Sequence, residues 1–278
     1  MSIITFWNNE KEETGKTLSI VAIATYLSIE HNYKTLIVST GYKKRRLVNC
    51  FFEQKKVKKN MGIFGPNTNV AMEDGIEGLA KIMKSNKISP ESITNYTKVV
   101  YSDRLEILPS FGGSISEYEE LRNMYPDIIN LANNYYDLVL VDLDMEVQEK
   151  ISEPILNNSN LIVATLSQRL SSINRFLEYR EKNKIFKEKK TLILIGRYDK
   201  YSKYSVKNIS RYMKEKNRVS TIPYNTLFFE ASEEAQVPDL FWKLRNVDPD
   251  DRNATFMEEV KRTVDNIIYR LKDLQANM

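Results

Sequence analysis

One cysteine and one histidine are all that this 278-residue sequence offers in thiolate or imidazole ligands. Cys50 has no second thiol for an intramolecular disulfide and leaves no cluster for zinc or an iron–sulfur centre. His31 alone excludes a histidine-rich metal site. No apolar run approaches the roughly 20 residues that a membrane-spanning helix needs. The opening, MSIITFWNNEKEE, has neither a basic leader nor a long apolar stretch, so no signal peptide is expected. These absences point to a soluble, reduced, cytoplasmic chain. Glycine is scarce too, with 9 residues, about half of average usage.

What is present is an ordinary globular composition. Hydrophobic residues make up 42 %, and 41 Lys and Arg against 37 Asp and Glu leave a formal charge of +4. Such a chain can bury a sizeable core, and wholesale disorder is excluded. No repeat or Pro/Ser-rich linker divides it. Residues 1–278 therefore read as one domain, with an irregular helical insertion around 60–95. Ile3–Phe6, Lys34–Ser39, Leu105–Leu108, Leu138–Asp142, Leu161–Thr165, Thr191–Ile195 and Val219–Ile222 read as strands. Most are continuous and apolar rather than alternating, as in a parallel sheet covered on both faces. Helical stretches over Thr17–Ile29, Ser116–Asn134 and Phe256–Leu274, among others, separate or follow them. The expected fold is α/β, a doubly wound, mostly parallel sheet.

The loop after the first strand runs Asn8-Asn9-Glu10-Lys11-Glu12-Glu13-Thr14-Gly15-Lys16-Thr17 and opens a helix at GKT. A phosphate-binding loop, G-x-x-x-x-G-K-[ST], uses this setting. Its amides face the phosphates, its Lys reaches the β/γ oxygens and its hydroxyl binds Mg²⁺. Gly15, Lys16 and Thr17 fit, and Glu10 stands at the first glycine. GKT by itself also begins ordinary helices.

The loop resembles the deviant K-G-G-x-G-K-T loop of the ParA/MinD ATPases, with Lys11 at the signature lysine and Glu12 and Glu13 in place of two glycines. Further segments keep the family's order. The strand ending in Asp142 looks like its Walker B element, and ILPSFGG like its Leu-Pro turn. Gly196-Arg197-Tyr198-Asp199 resembles its base-contacting loop, and Ile222-Pro223-Tyr224-Asn225 with Glu230-Ala231 its terminal I-P-x-[DN]…E-A stretch. The resemblance implies a P-loop NTPase fold that binds ATP and Mg. Lys11, Lys16 and Asp142 would be the catalytic groups, and Thr17 and Asp142 the metal ligands. Lys11, Glu12, Glu13, Thr14, Gly15, Lys16, Thr17, Arg197 and Pro223 would contact nucleotide. It also implies a homodimer in which Lys11 reaches the second subunit, and a role in positioning, partitioning or assembling a larger complex.

Three departures qualify this. A non-glycine residue forced left-handed costs roughly 1–2 kcal/mol. A carboxylate about 4 Å from a phosphate charge is repelled by about 4 kcal/mol at an effective dielectric near 20. Loop glutamates should therefore weaken affinity, less so where they turn outward to solvent. After the second strand, Ser39-Thr40-Gly41-Tyr42 lacks the carboxylate that would position attacking water, so hydrolysis should be slow or absent. Beyond Asp142 stand Asp144 and Glu146, which could take over metal or water positioning. The alternative reading is a pseudo-ATPase scaffold that no longer binds nucleotide and acts through protein or DNA contacts.

Outside the loop, Lys43, Lys44, Arg45, Arg46, Lys55, Lys56, Lys58 and Lys59 surround the apolar Leu47, Phe51 and Phe52. An anionic partner, DNA or an acidic protein, and a solvated helix docked on the core are both open readings. Phe256, Val260, Val264, Ile267, Ile268, Leu271 and Leu274 form an amphipathic stripe. The mixed charge of its other face favours core packing over a membrane surface. Cys50 and His31 read as structural.

Overall fold

The structure is a computed structural model that describes residues 1–10, 14–43, 45–53, 75–85, 88–147, 149–188, 191–215 and 219–276. In chain order the elements are β1 (Ser2–Trp7), α1 (Lys16–Glu30), β2 (Thr35–Ser39), α2 (Arg46–Asn49), α3 (Ile76–Ser85), β3 (Lys98–Tyr101), β4 (Leu105–Leu108), α4 (Ile115–Leu121), α5 (Tyr125–Asn133), β5 (Leu138–Asp142), α6 (Glu149–Asn158), β6 (Leu161–Leu166), α7 (Leu170–Lys182), α8 (Lys184–Glu188), β7 (Thr191–Tyr198), α9 (Val206–Met213), β8 (Val219–Pro223), α10 (Thr226–Glu233), α11 (Val237–Leu244) and α12 (Ala254–Ala276). One eight-stranded sheet runs β3-β4-β2-β5-β1-β6-β7-β8. Among the described residues only β3 is antiparallel to its neighbour, and the remaining pairs are parallel.

The expected fold class is present, for the expected reason. Strands such as Leu138–Asp142 are buried along their whole length because helices cover both faces. Ile3, Val139, Ile162 and Ile193 pack on one face with residues of α3 to α9. Ile4, Leu140, Val163 and Leu194 pack on the other with α1, α10, α11 and α12. β1 lies between β5 and β6, with β2 beyond β5 and β7 beyond β6. The strand order therefore reverses at β1, and the loops leaving β1, β5 and β6 share one sheet edge, where ligands of open α/β sheets bind.

Two local expectations are corrected. The single helix expected over Ser116–Asn134 is broken. α4 starts at a Ser114/Glu117 capping box, a 3₁₀ turn covers Arg122–Met124, and α5 begins at Tyr125 with Pro126 in its first turn. Proline lacks an N–H and suits a helix start, not an interior. The edge strand β3 was not expected. Its four residues, KVVY, are half-exposed and their pairing with β4 is irregular, so no clean apolar pattern marks it. Within the expected insertion, residues 60–74 lie outside the described residues; α3 and a 3₁₀ turn over Pro90–Tyr96 follow.

The amphipathic stripe of α12 is core. Phe256, Val260, Val264, Ile267, Ile268 and Leu271 are buried against the sheet and its helices. The Phe256 ring lies 5.1 Å from that of Phe228 and 6.0 Å from that of Phe241, centroid to centroid. Among the described residues, no helix is long and apolar enough to cross a membrane. We expect Phe256→Ala to lower the unfolding free energy by about 3–5 kcal/mol in urea; an unchanged midpoint would place α12 outside the cooperative core.

Candidate functional site

The site begins where β1 turns into α1. Gly15 stands at the N-cap of α1 with φ of 80°, in the left-handed region, and no side chain caps the helix. The first amides of an uncapped helix have no intrahelical partner and, with the helix dipole, attract anions. A Cβ on Gly15 would sit 2.8 Å from Cγ of Arg197. One on Gly196 would run into the carbonyl oxygen of Thr14. Two of the scarce glycines thus lie where the first loop presses on the end of β7. Gly196 opens the segment that resembles a base-contacting loop, and the structure shows that it serves close backbone approach, as a glycine closing a strand can.

Lys16, Thr17 and Asp142 are brought together. The Lys16 ammonium lies 3.0 Å from Oδ1 of Asp142 and donates to the carbonyl oxygen of Leu143. The Thr17 hydroxyl donates to Oδ2 of Asp142 at 3.3 Å. The parallel register of β1 with β5, Phe6 opposite Asp142, sets that carboxylate beside the loop. The pair is nearly buried, with side-chain exposures of 11 % and 8 %. Removing one partner of such a pair leaves an uncompensated charge and costs about 3–5 kcal/mol.

Glu10 departs from the outward orientation that would relieve it. Its carboxylate is buried at 3 % exposure. Oε1 accepts from the Ser172 hydroxyl and, at 3.5 Å, from the Ser167 amide, while Oε2 lies 3.8 Å from Arg175 Nη1. The carboxylate is turned toward the start of α7, a helix with no acidic residue in its first turn and no side-chain cap. A negative charge there is worth about 0.3–1 kcal/mol, and up to about 2 when partly buried. Thr14 is buried; Lys11, Glu12 and Glu13 lie outside the described residues.

At the end of β2, Thr40 takes the place where a carboxylate was missed. It is fully buried, and its groups join β2 to β5. Its amide donates to the Asp142 carbonyl at 3.1 Å, its hydroxyl oxygen accepts from the Asp144 amide at 2.9 Å, and its carbonyl accepts from the Tyr118 hydroxyl at 2.6 Å. Burial, with the nearby Asp144 charge, pushes the Tyr118 phenol up to about 12. Asp144 is buried and its Oδ1 accepts from the Glu146 amide at 2.9 Å; Glu146 is exposed. Nothing in the sequence marks Thr40, because its role depends on two distant segments, the end of β5 and α4.

Arg197 and Pro223 line one small hollow with Gly15, Ser19 and Phe228. Beside it opens a cleft of about 850 Å³ bordered by Tyr198, Asp199, Tyr201, Pro223, Tyr224, Asn225 and Arg252. Of the basic segment, Lys43, Arg45 and Arg46 are exposed, while Leu47, Cys50 and Phe51 are buried on the core. The docked helix is therefore real, and it leaves its basic residues in solvent. Lys44, Lys55, Lys56, Lys58 and Lys59 lie outside the described residues. Burial pushes the Cys50 thiol up to about 12, as expected of a structural cysteine.

No family model matches the chain, and no curated protein matches it. Solved structures do. The ParA family ATPase of Chlorobium tepidum aligns with a TM-score of 0.68 and 13 % identity over 95 % of this chain and 99 % of its own. The cell division ATPase MinD of Pyrococcus furiosus gives 0.66 and 15 % over 97 % and 99 %. The chain has the ParA/MinD P-loop ATPase fold. A putative plasmid partition protein of Borrelia burgdorferi, solved bound to AMPPNP, aligns at 0.58 and 19 % over 98 % of each chain. At these identities the likeness is one of fold. In the ParA/MinD fold of this chain, the contact between Gly196 and Thr14 sets the height of the first loop above β7. We expect Gly196→Ala to cost about 1–3 kcal/mol in urea unfolding through overpacking against backbone; a neutral result would mean that the loop can lift freely.

Proposed function

We propose that this chain is a single-domain, cytoplasmic nucleotide switch of the ParA/MinD kind. It binds ATP with Mg, pairs with a second copy when loaded, docks on a partner to position or assemble a larger complex, and hydrolyses ATP slowly or not at all. The observation that carries the reading is the meeting of Lys16, Thr17 and Asp142 at an uncapped helix start behind a left-handed glycine. The residues fit the ligand. Gly15 enters α1 in the left-handed region with no side-chain cap, and buried polar atoms with no partner among the described residues, Asn9 Oδ1 and Ser19 Oγ, lie in the loop and the first turn of α1. One hydroxyl and one carboxylate suit Mg²⁺, which keeps waters and takes phosphate oxygens for its remaining positions.

Each residue then has a role. Lys16 exchanges the Asp142 and Leu143 oxygens for phosphate oxygens. Thr17 and Asp142 would hold the metal, which would supply neutralising charge. Lys11, Glu12 and Glu13, outside the described residues, would contact nucleotide with Thr14 and Gly15, Lys11 reaching the second copy, and Arg197 and Pro223 would border the base. Thr40, engaged by β5 and α4, has no carboxylate to orient water, which supports slow or absent turnover. The AMPPNP held by the Borrelia protein shows one member of this fold with a triphosphate analogue. Nucleotide shifts monomer toward dimer only by its differential affinity for the two.

The scaffold reading has one observation in its favour: the Lys16 ammonium already has two oxygen partners. Calorimetric titration with Mg-ATP separates the two. We expect a micromolar affinity that Lys16→Ala abolishes and Thr17→Ala reduces in its Mg-dependent part. Thr17→Ala removes no charge and so guards against simple unfolding of Lys16→Ala. No heat at millimolar nucleotide would leave the scaffold reading.

The exposed basic residues after β2 support a DNA or acidic-protein contact. For DNA, retention on a DNA column should fall steeply with salt, and replacing Lys43, Lys44, Arg45 and Arg46 together by Ala should abolish it. Unchanged retention by that variant would remove the segment from the interface.

A further inference from the structure

We infer that Glu10 is a positioning residue: its buried carboxylate tethers the chain leaving β1, at residues 8–10, to the start of α7 and thereby favours phosphate binding at the start of α1. The phosphate half of this inference rests on the nucleotide reading above; the tether itself does not.

Three consecutive residues lead to it. Asn8 Nδ2 donates to the Glu10 carbonyl at 2.9 Å, pinning the loop to itself. Asn9 Nδ2 donates to the Arg175 carbonyl at 3.3 Å, on the second turn of α7. Glu10 then places one oxygen against the Ser172 hydroxyl and the Ser167 amide and the other toward Arg175. The Ser167 amide is also 3.1 Å from the Ser172 oxygen, so the amide, the hydroxyl and the carboxylate close a small ring. Ser172 is fully buried. A glycine at this loop position works by conformational freedom. A glutamate held at both backbone and side chain works by restraint instead. It also carries its charge into a helix start that favours a negative group rather than into the seat of a phosphate.

The consequence is coupling. A ligand bound at the start of α1 should tighten the first turn of α7, and anything that binds α7 and shifts it should change the affinity for that ligand by the same factor.

The test compares Glu10→Ala, Glu10→Gln, Ser172→Ala and the Glu10→Ala/Ser172→Ala double variant in the full chain. The readouts are Mg-ATP titration and amide exchange over residues 167–172, with and without Mg-ATP. We expect Glu10→Ala to weaken binding by about tenfold or more, the scale of a lost hydrogen bond to a charged group. The Ser167 amide should exchange faster, and the nucleotide-induced protection of 167–172 should disappear. Glu10→Gln, which keeps an acceptor oxygen, should restore most of the affinity. The double variant should be no worse than Glu10→Ala, because both break one network.

Unchanged or tighter binding by Glu10→Ala would overturn the inference, since that is what a merely repulsive carboxylate predicts. If Glu10→Ala does not fold, Ser172→Ala decides in the same terms. If the wild-type chain takes up no Mg-ATP, the nucleotide reading and the phosphate half fall together. Exchange in the free protein then decides the tether: faster exchange at 167–172 in Glu10→Ala upholds it, and unchanged exchange removes it.

Discussion

A nearly buried ammonium and a buried carboxylate, Lys16 at the start of α1 and Asp142 at the end of β5, face each other at 3.0 Å. The rest of the site is arranged around that pair. Lys16 is the first residue of α1, so its position depends on Gly15 entering the helix from the left-handed region. Asp142 is the last residue of β5, so its position depends on the register of β5 with β1 and β2. A charge pair this poorly solvated holds together only while its remaining oxygens and protons are met. Thr17 meets one carboxylate oxygen and the Leu143 carbonyl meets the ammonium. A phosphate group offers Lys16 the same kind of partner, which is why a resting pair and a binding site can share one geometry.

Around this centre the chain replaces freedom with contact. Few glycines are present, and two of them sit where the first loop meets the end of β7 and no side chain fits. Where glycine would be expected again, Glu10 is anchored by Ser172, Ser167 and Arg175. At the end of β2, Thr40 joins the strand to Asp142, Asp144 and Tyr118. Each substitution links the loop edge to a different neighbouring element: β7, α7, and β5 with α4. The edge is thereby tied to its neighbours on three sides.

The basic segment after β2 shows how one stretch can serve packing and surface together. Leu47, Cys50 and Phe51 are buried on the core, while Lys43, Arg45 and Arg46 remain exposed. Lys43 adopts a positive φ of 52°, and its amide donates to the Phe111 carbonyl at 2.9 Å. The turn that presents the charges is therefore held by the loop after β4.

The sequence by itself determined the layers of this protein. Short continuous apolar runs rich in valine and isoleucine, such as LVLVD and LIVAT, read as buried strands, and the spacing between them leaves room for crossover helices. The stripe on α12 was legible because burial repeats with the helical period. The GKT start, Asp142 and the order of the surrounding motifs were legible because local chemistry marks them. What it left open was the edge strand β3, too short and too exposed to carry a pattern, and the break before Tyr125, where Pro126 begins a second helix. Only the tertiary structure decided where Glu10 points, what Thr40 holds, and why residue 196 is glycine. Those answers depend on segments far away in the chain, and side-chain direction in a loop is set by whichever neighbour the fold brings within hydrogen-bond reach.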